Sequence, residues 1–290
     1  MLPFLEEETN GCKNPFSYNE GHDVPLLLSS PHSGRYYPPS FLEQTRLSPF
    51  ELQKMEDRFV DDLLSATLQG GISLLKVLFP RSFCDVNRDW RELDARMFTP
   101  PLDEKELLSS QRVMAGYGVI PRCTAPGQGI YHHTLPAEAV EQRLSKYWAP
   151  FHRKLHETLE CLRLQFGYVI LFDVHSMPPL QQSCPCDIVL GNLHGQSCSP
   201  ILINYVQQAF EKRGYKVRQN NPYAGGFITQ YYGAPSSHVH ALQIEISRAL
   251  YLNQATLAPN RHYENFKSDL TALLLEIADW LGNEAGRCGF

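Results

Sequence analysis

Residues 168–179 read YVILFDVHSMPP, and the reading of this stretch decides the fold. Tyr168 to Phe172 form an unbroken apolar run, as expected of a strand buried on both faces. The run then delivers Asp173, His175 and Ser176, and Pro178-Pro179 cannot continue a strand ladder. Sheets in α/β chains place their chemistry at the carboxyl ends of their strands. The stretch therefore predicts a central strand with a functional end, provided the rest of the chain supplies partners.

Outward from this strand, strand-like and helix-like segments alternate, the pattern of an α/β protein with a largely parallel sheet. VPLLLSS (24–30), ISLLKVLF (72–79), CDIVLG (186–191), YKVRQ (215–219) and HVHALQIEI (238–246) read as strands. SPFELQKMEDRFVDDLLSATLQGG (48–71) reads as one helix. Ser48 is its cap, Pro49 suits its first position, Glu51 completes a capping box and Gly70-Gly71 ends it. Residues 136–165 read as a long amphipathic helix, bent or broken at Pro150. Further helices are predicted over 200–213 and near the C-terminus, and residues 80–134 read as long loops of the kind that carry function. No repeat or linker divides the chain, so residues 1–290 are expected to form a single catalytic domain.

The 290 residues are 43% hydrophobic, enough for a sizeable core, and mean hydropathy is −0.30. A formal charge of −5 gives no electrostatic footprint for nucleic acid or an anionic membrane. An anionic substrate must then be drawn by local positive charge, from a metal or a few arginines. The acidic, proline-interrupted start MLPFLEEETNGCKNPF resembles neither a signal nor a transit peptide, and no apolar run is long enough to span a bilayer. A cytoplasmic location is expected. The eight cysteines are then expected to be reduced thiols. Cys184-Pro-Cys186 can form a local redox pair, but a loop with incidental thiols is the preferred reading.

Five segments carry unusual polar residues. They hold His32, Glu56-Asp57, Arg81 with Asn87-Arg88, His175, and Glu245 with Arg248. Two histidines and a carboxylate are a common ligand set for catalytic zinc, and a further glutamate beside such a site can act as general base. Helical periodicity places Glu56 inside the apolar stripe and Asp57 at its edge, leaving both open as the carboxylate ligand. Strand alternation puts Gln243 and Glu245 on one face of 238–246, opposite Leu242, Ile244 and Ile246. A carboxylate on such a strand fits a general base better than a solvent-exposed group. His132 and His133 are read as loop residues that are not ligands, and His152, His194, His238 and His240 as structural.

SSPHSGRYYPPSFL, EDRFVDDL, FPRSFCDVNRDW, YWAPFHRKL, ILFDVHSMP, DIVLGNLHG, NNPYAGGFITQYYG and HALQIEISRALY occur in this order. Together they resemble the N-formylglutamate amidohydrolase family from about residue 26 to about 252. The resemblance implies a three-layer α/β/α fold with a mostly parallel mixed sheet, of the zinc-exopeptidase type. It also implies hydrolysis of N-formyl-L-glutamate to formate and L-glutamate, in histidine degradation. One divalent metal, expected to be zinc, is implied on His32, Asp57 and His175, with Glu56 as the alternative carboxylate. Asp173 is then a hydrogen-bond partner of His175 or a strand-end carboxylate. By the same resemblance Glu245 is the general base, Arg81 stabilises the oxyanion, and Asn87-Arg88 hold the substrate α-carboxylate. Arg248 pairs with the side-chain carboxylate or braces Glu245. Gly225-Gly226 give close backbone approach, and Thr229 is a hydrogen-bonding candidate for the substrate. Two rival readings keep the fold: a metal hydrolase of another N-acyl amino acid or peptide C-terminus, and a non-catalytic carboxylate-binding protein.

Overall fold

A computed structural model describes residues 14–21, 23–125, 127–180 and 185–283. Seven strands form its main sheet: β1 (Phe16–Asn19), β2 (Leu26–Ser30), β3 (Ser73–Val77), β4 (Val169–Met177), β5 (Ile188–Gly191), β6 (Val217–Gln219) and β7 (Val239–Ser247). Their spatial order is β1-β3-β2-β4-β7-β5-β6. The four inner strands β3, β2, β4 and β7 run parallel. β1 is antiparallel to β3, and β5 is antiparallel to β7. β1 falls in a segment where the sequence predicts no strand.

One apolar layer packs α4 (Pro200–Lys212) and α6 (Tyr263–Asn283) against Ile170, Phe172 and Val174 of β4 and Leu242, Ile244 and Ile246 of β7. The opposite layer packs α3 (Ala149–Phe166) and α5 (Phe227–Tyr232) with loop residues such as Phe83 and Phe98. Each of these two strands buries all nine of its residues, so the alternation in 238–246 marks two buried faces. On the second face the pattern changes along the strand. Val169 and Leu171 enter the apolar core, as do Val239 and Ala241. Further along the same face come Asp173 and His175 on β4, and Gln243 and Glu245 on β7. The carboxyl ends of the central strands thus exchange an apolar core for a polar site.

Two helix readings need correction. Residues 48–71 do not form one helix. Ser48 and Glu51 make the expected capping box, but α1 ends early, covering Pro49–Gln53. A turn follows, with Phe59 at a left-handed φ of 64°, before α2 (Val60–Leu63) and a 3-10 segment, Ser65–Gly70. The break has tertiary causes. The Asp57 N–H donates to His32 O at 3.0 Å. The carbonyls of Lys54 and Glu56 accept from Arg248 at 3.0 and 2.8 Å. Helical periodicity therefore does not apply to Glu56 and Asp57. Near Pro150, a wider π turn over Leu144–Trp148 joins Glu138–Arg143 to α3, so the helical path bulges just before the proline. Cys184 lies outside the described residues, and the Cys186 thiol donates to Ile188 O at 3.0 Å.

Candidate active site

The site lies where β2, β4 and β7 end. β4 carries His175 and β7 carries Glu245, and the two residues are direct cross-strand partners. His32 follows β2 in a turn, and the break after α1 brings in Asp57. All four are buried.

Asp57 Oδ2 lies 3.0 Å from His175 Nδ1 and 3.4 Å from His32 Nδ1. Each imidazole has a second carboxylate behind its other nitrogen. His32 Nε2 is 2.7 Å from Asp85 Oδ1, and His175 Nε2 is 2.8 Å from Asp173 Oδ2. An ionised carboxylate only accepts, so both rings donate from Nε2, and each Nδ1 keeps a lone pair unless a second proton binds there to meet Asp57. Those lone pairs face Asp57, and His32 Nδ1 is buried with no hydrogen-bond partner. An orphaned nitrogen beside a second lone pair and a carboxylate suits a cation. One ligand atom from each of His32, Asp57 and His175 lies within 4.8 Å of the others. The residues present therefore fit a divalent metal, and the carboxylate–imidazole pairs are the usual outer support for one.

Charge follows the same geometry. Burial pushes the Asp57 carboxyl up, but the imidazoles of His175 and His32 outweigh it and hold Asp57 well below its ordinary value. Burial likewise pushes Asp85 up, and Arg81, His32 and Arg88 hold it well below the usual range. For His175, burial acts downward, while Asp173 and Asp57 hold the ring well above its ordinary value. A site this anionic takes a cation, either a proton on the ring or a metal ion in its place. Glu245 behaves in the opposite sense. Burial pushes it up to about 7, His175 opposes the shift, and Asp57 adds to it. Its Oε1 accepts from Gln243 Nε2 at 2.9 Å.

Glu56 turns away from the triad. Its carboxylate accepts from Tyr37 Oη and, at 2.7 Å, from Arg58 Nη1. This partnering answers the cost of burying the charge and separates Glu56 from its neighbour. Arg81 gives Nη2 to Asp85 Oδ2 at 2.7 Å, so one carboxylate holds both His32 and this guanidinium.

Four expected substrate contacts are placed differently. Arg248 does not meet Glu245. It donates to Ser176 Oγ, Lys54 O, Glu56 O and Asp57 Oδ1, which uses Nε, Nη1 and Nη2 inside the protein. Thr229 is fully buried in α5, with its hydroxyl unpartnered and no exposed surface for a substrate. A Cβ on Gly226 would lie 2.5–2.8 Å from the Asn87 amide, so this glycine makes room for Asn87. Asn87 in turn donates from Nδ2 to Asp173 at 3.3 Å and accepts from the Ile228 N–H at 2.8 Å. Its amide props His175 from within and is not free for a carboxylate.

Arg88 differs from all of these. It donates only to the carbonyls of Tyr117 and Asn87, each at 2.9 Å, and has no ion pair among the described residues. Burial, joined by the charges of Arg81 and Arg112, holds it below its ordinary value against the pull of Asp85. An incompletely compensated guanidinium in this position suits an anionic ligand.

Sequence reading missed Asp85 and Gln243. Asp85 stands two residues before Asn87 in FPRSFCDVNRDW, but nothing in that spacing reveals His32 opposite it. Among the other histidines, His152 lies 2.8 Å from Val86 O and 2.9 Å from Tyr232 Oη, and His240 Nδ1 accepts from the Ser199 N–H. Among the described residues, no helix is long and apolar enough to cross a membrane.

Comparison with known proteins agrees along the whole core. An N-formylglutamate deformylase of Pseudomonas aeruginosa is 29% identical over 279 residues, covering 91% of this chain and 95% of that protein. One from Pseudomonas putida is 30% identical, covering 82% and 85%. The crystal structure of an N-formylglutamate amidohydrolase from Ralstonia eutropha JMP134 superposes with a TM-score of 0.87 at 33% identity, covering 95% and 99%. Residues 24–252 match the sequence pattern of one family, from before β2 to past Arg248, and this makes the chain a member of the N-formylglutamate amidohydrolase family.

Proposed function

We propose that this chain is a zinc-dependent hydrolase that cleaves the formyl amide of N-formyl-L-glutamate to formate and L-glutamate. The observation that carries the reading is the convergence of His32 Nδ1, His175 Nδ1 and Asp57 Oδ2 beside the buried Glu245, the cross-strand partner of His175. His32, Asp57 and His175 would hold the ion, with Asp85 and Asp173 fixing the two rings. A bound zinc supplies Lewis acidity and makes water a better proton donor near neutral pH.

Glu245 then takes a proton from the attacking water and gives it to the departing amine. A carboxylate whose burial raises it above the ordinary range suits both halves of that transfer. Arg81, anchored through Nη2 on Asp85, keeps its other N–H groups for the negative charge that develops on the amide oxygen. Arg88 meets a substrate carboxylate and excludes neutral analogues. We place the reaction in histidine breakdown and in the cytoplasm, carried out by the chain as a single domain, in line with the family resemblance.

The test is turnover of N-formylglutamate by zinc-loaded protein, set against N-acetylglutamate, N-formylmethionine and a C-terminal glutamyl peptide. Preference for N-formylglutamate and loss of turnover on chelation are expected. Faster hydrolysis of the peptide would move the activity to the peptide C-terminus, and full turnover in chelator would remove the metal.

A further inference from the structure

One aromatic residue beside the site takes no part in the machinery described so far. Tyr223 is half-buried, and its ring packs against Met177, Cys186 and Val189. Val189 is the direct antiparallel partner of Glu245, and Met177 lies two residues beyond His175 on the same face of β4. Side chains directly opposite in a sheet share a face, so the ring lies on the face that bears Glu245 and His175. Its phenol is within electrostatic reach of Glu245, Arg248 and Asp57. Among the described residues its hydroxyl makes no hydrogen bond, although these charges act on it.

The segment that carries Tyr223 is firmly built. Asn220, at a left-handed φ of 57°, accepts through Oδ1 from the N–H groups of Asn192 and His194, at 2.9 and 3.2 Å. It also donates to Asn192 Oδ1 at 2.9 Å. The Leu193 N–H donates to Ala224 O at 2.7 Å. A Cβ on Gly191 would lie 2.7–3.0 Å from Ala224 and Gly225, so the glycine lets this arch cross the end of β5 closely. A pinned arch that holds an unpartnered phenol on the sheet face bearing His175 and Glu245 is preorganised for a ligand.

We propose that Tyr223 is a further substrate-contacting residue, whose phenol donates a hydrogen bond to a carboxylate oxygen of the bound acyl amino acid. The inference rests on the reading of Glu245 and its neighbours as the reaction centre. Elimination selects the acceptor. Burial, aided by Glu245, raises the phenol above its ordinary value, so it remains a donor. Under that reading the amide oxygen is taken by Arg81 and the metal site, and the amide N–H accepts nothing. The acceptors left on N-formylglutamate are its carboxylate oxygens.

Tyr223→Phe keeps the ring against Met177 and Val189 and removes only the donor. The test compares kcat/KM for N-formylglutamate, N-formylglutamine and N-formyl-4-aminobutyrate; the second lacks the side-chain carboxylate and the third lacks the α-carboxylate. Inhibition constants replace kcat/KM where turnover is too slow. Hydrogen bonds to charged groups imply a loss of roughly 10- to 100-fold on N-formylglutamate. The loss should persist on one analogue and shrink to within about twofold on the other, with the melting temperature unchanged. A loss below about twofold on N-formylglutamate, or the same loss on all three compounds, overturns the proposal. Glu245→Gln, assayed alongside, separates the two levels. If it keeps full turnover, the reading of the reaction centre fails. If it is inactive while Tyr223→Phe matches wild type, only the Tyr223 inference fails.

Discussion

The two halves of the site are held in place by different physics. His175 and Glu245 stand on β4 and β7, two nine-residue strands paired along their full length. The pleat sets the direction of each side chain, and a one-residue slip would bury the wrong face. His32, Asp57, Arg81 and Asp85 stand on turns. Individual bonds set their directions: Asp57 N–H to His32 O, Ser33 Oγ to Asp57 O, Arg248 to the Lys54 and Glu56 carbonyls, and Asp85 to both His32 and Arg81. Phe59, in its left-handed turn, lies under both Arg35 and Arg58, whose guanidinium carbons are 5.1 and 5.2 Å from the ring centre. The strand half should therefore tolerate loss of a single side chain without moving, whereas the loop half should shift when one brace is removed.

The largest expected effect tests the strand half. Glu245→Gln retains the shape and the bond to Gln243, and the sheet should hold the amide where the carboxylate stood. General acid–base catalysis contributes about 10²–10⁴-fold, and kcat should fall by that order. Metal content and melting temperature should not change. Loss of metal would make Glu245 a ligand, and a marked fall in melting temperature would show that register alone does not fix this half.

Next in size is an acid-sensitivity that tests the support beneath the loop half. His152 on α3 binds Val86 O, between Asp85 and Asn87. Burial lowers its imidazole from 6.5 to about 4, although the bond to Val86 O acts upward. The sign follows from proton uptake. Between pH 6.5 and 4 the unfolded chain binds a proton on this ring and the folded chain does not. This contribution is fully present above about 6.5 and is lost as pH falls toward about 4, by on the order of 3 kcal/mol. Denaturant melts in chelator should show stability falling through that window, with a shallower fall in His152→Gln. Equal slopes would mean that His152 titrates normally and gives Val86 no rigid support.

The same division explains what the sequence made legible. The strands around 168–179 and 238–246 were readable because apolar runs and alternation depend on the chain's own period. His175 and Glu245 were legible with them. His32 and Asp57 were recognisable as a pair only through the family resemblance, because no local period describes a turn. Treating residues 48–71 as one helix gave a wrong face analysis for Glu56 and Asp57. Propensity there favours helix, and the override comes from Arg248, nearly two hundred residues away. Asp85 was invisible for a similar reason, since its significance lies in His32 across 53 residues. Thr229 and Gly226 read as ligand contacts because a Gly-Gly turn suggests an open backbone, and Asn87 fills that space.

Arg248 offers the finest test, since it begins at the end of β7 and reaches across to the loop half. The sequence suggested a contact to the substrate carboxylate or a brace on Glu245, whereas the structure uses Nε, Nη1 and Nη2 on Ser176, Asp57 and the turn before it. Arg248→Lys keeps the charge but cannot meet these acceptors with one ammonium group, because the planar fork is lost. If Arg248 is a brace, Asp57 loosens. Loss of outer support around a metal ligand costs about 10- to 100-fold in affinity, and the retained charge argues for about 10-fold. Metal-saturated protein should keep kcat and KM within about threefold of wild type, because a bound ion would re-order Asp57. If Arg248 instead holds substrate, KM for N-formylglutamate should rise and metal affinity should not move. The two outcomes fall on different axes, so a metal-competition titration and one saturation curve on the same preparation separate them. A rise in KM at unchanged metal affinity would place Arg248 in substrate recognition and leave the Asp57 backbone held by His32 and Ser33.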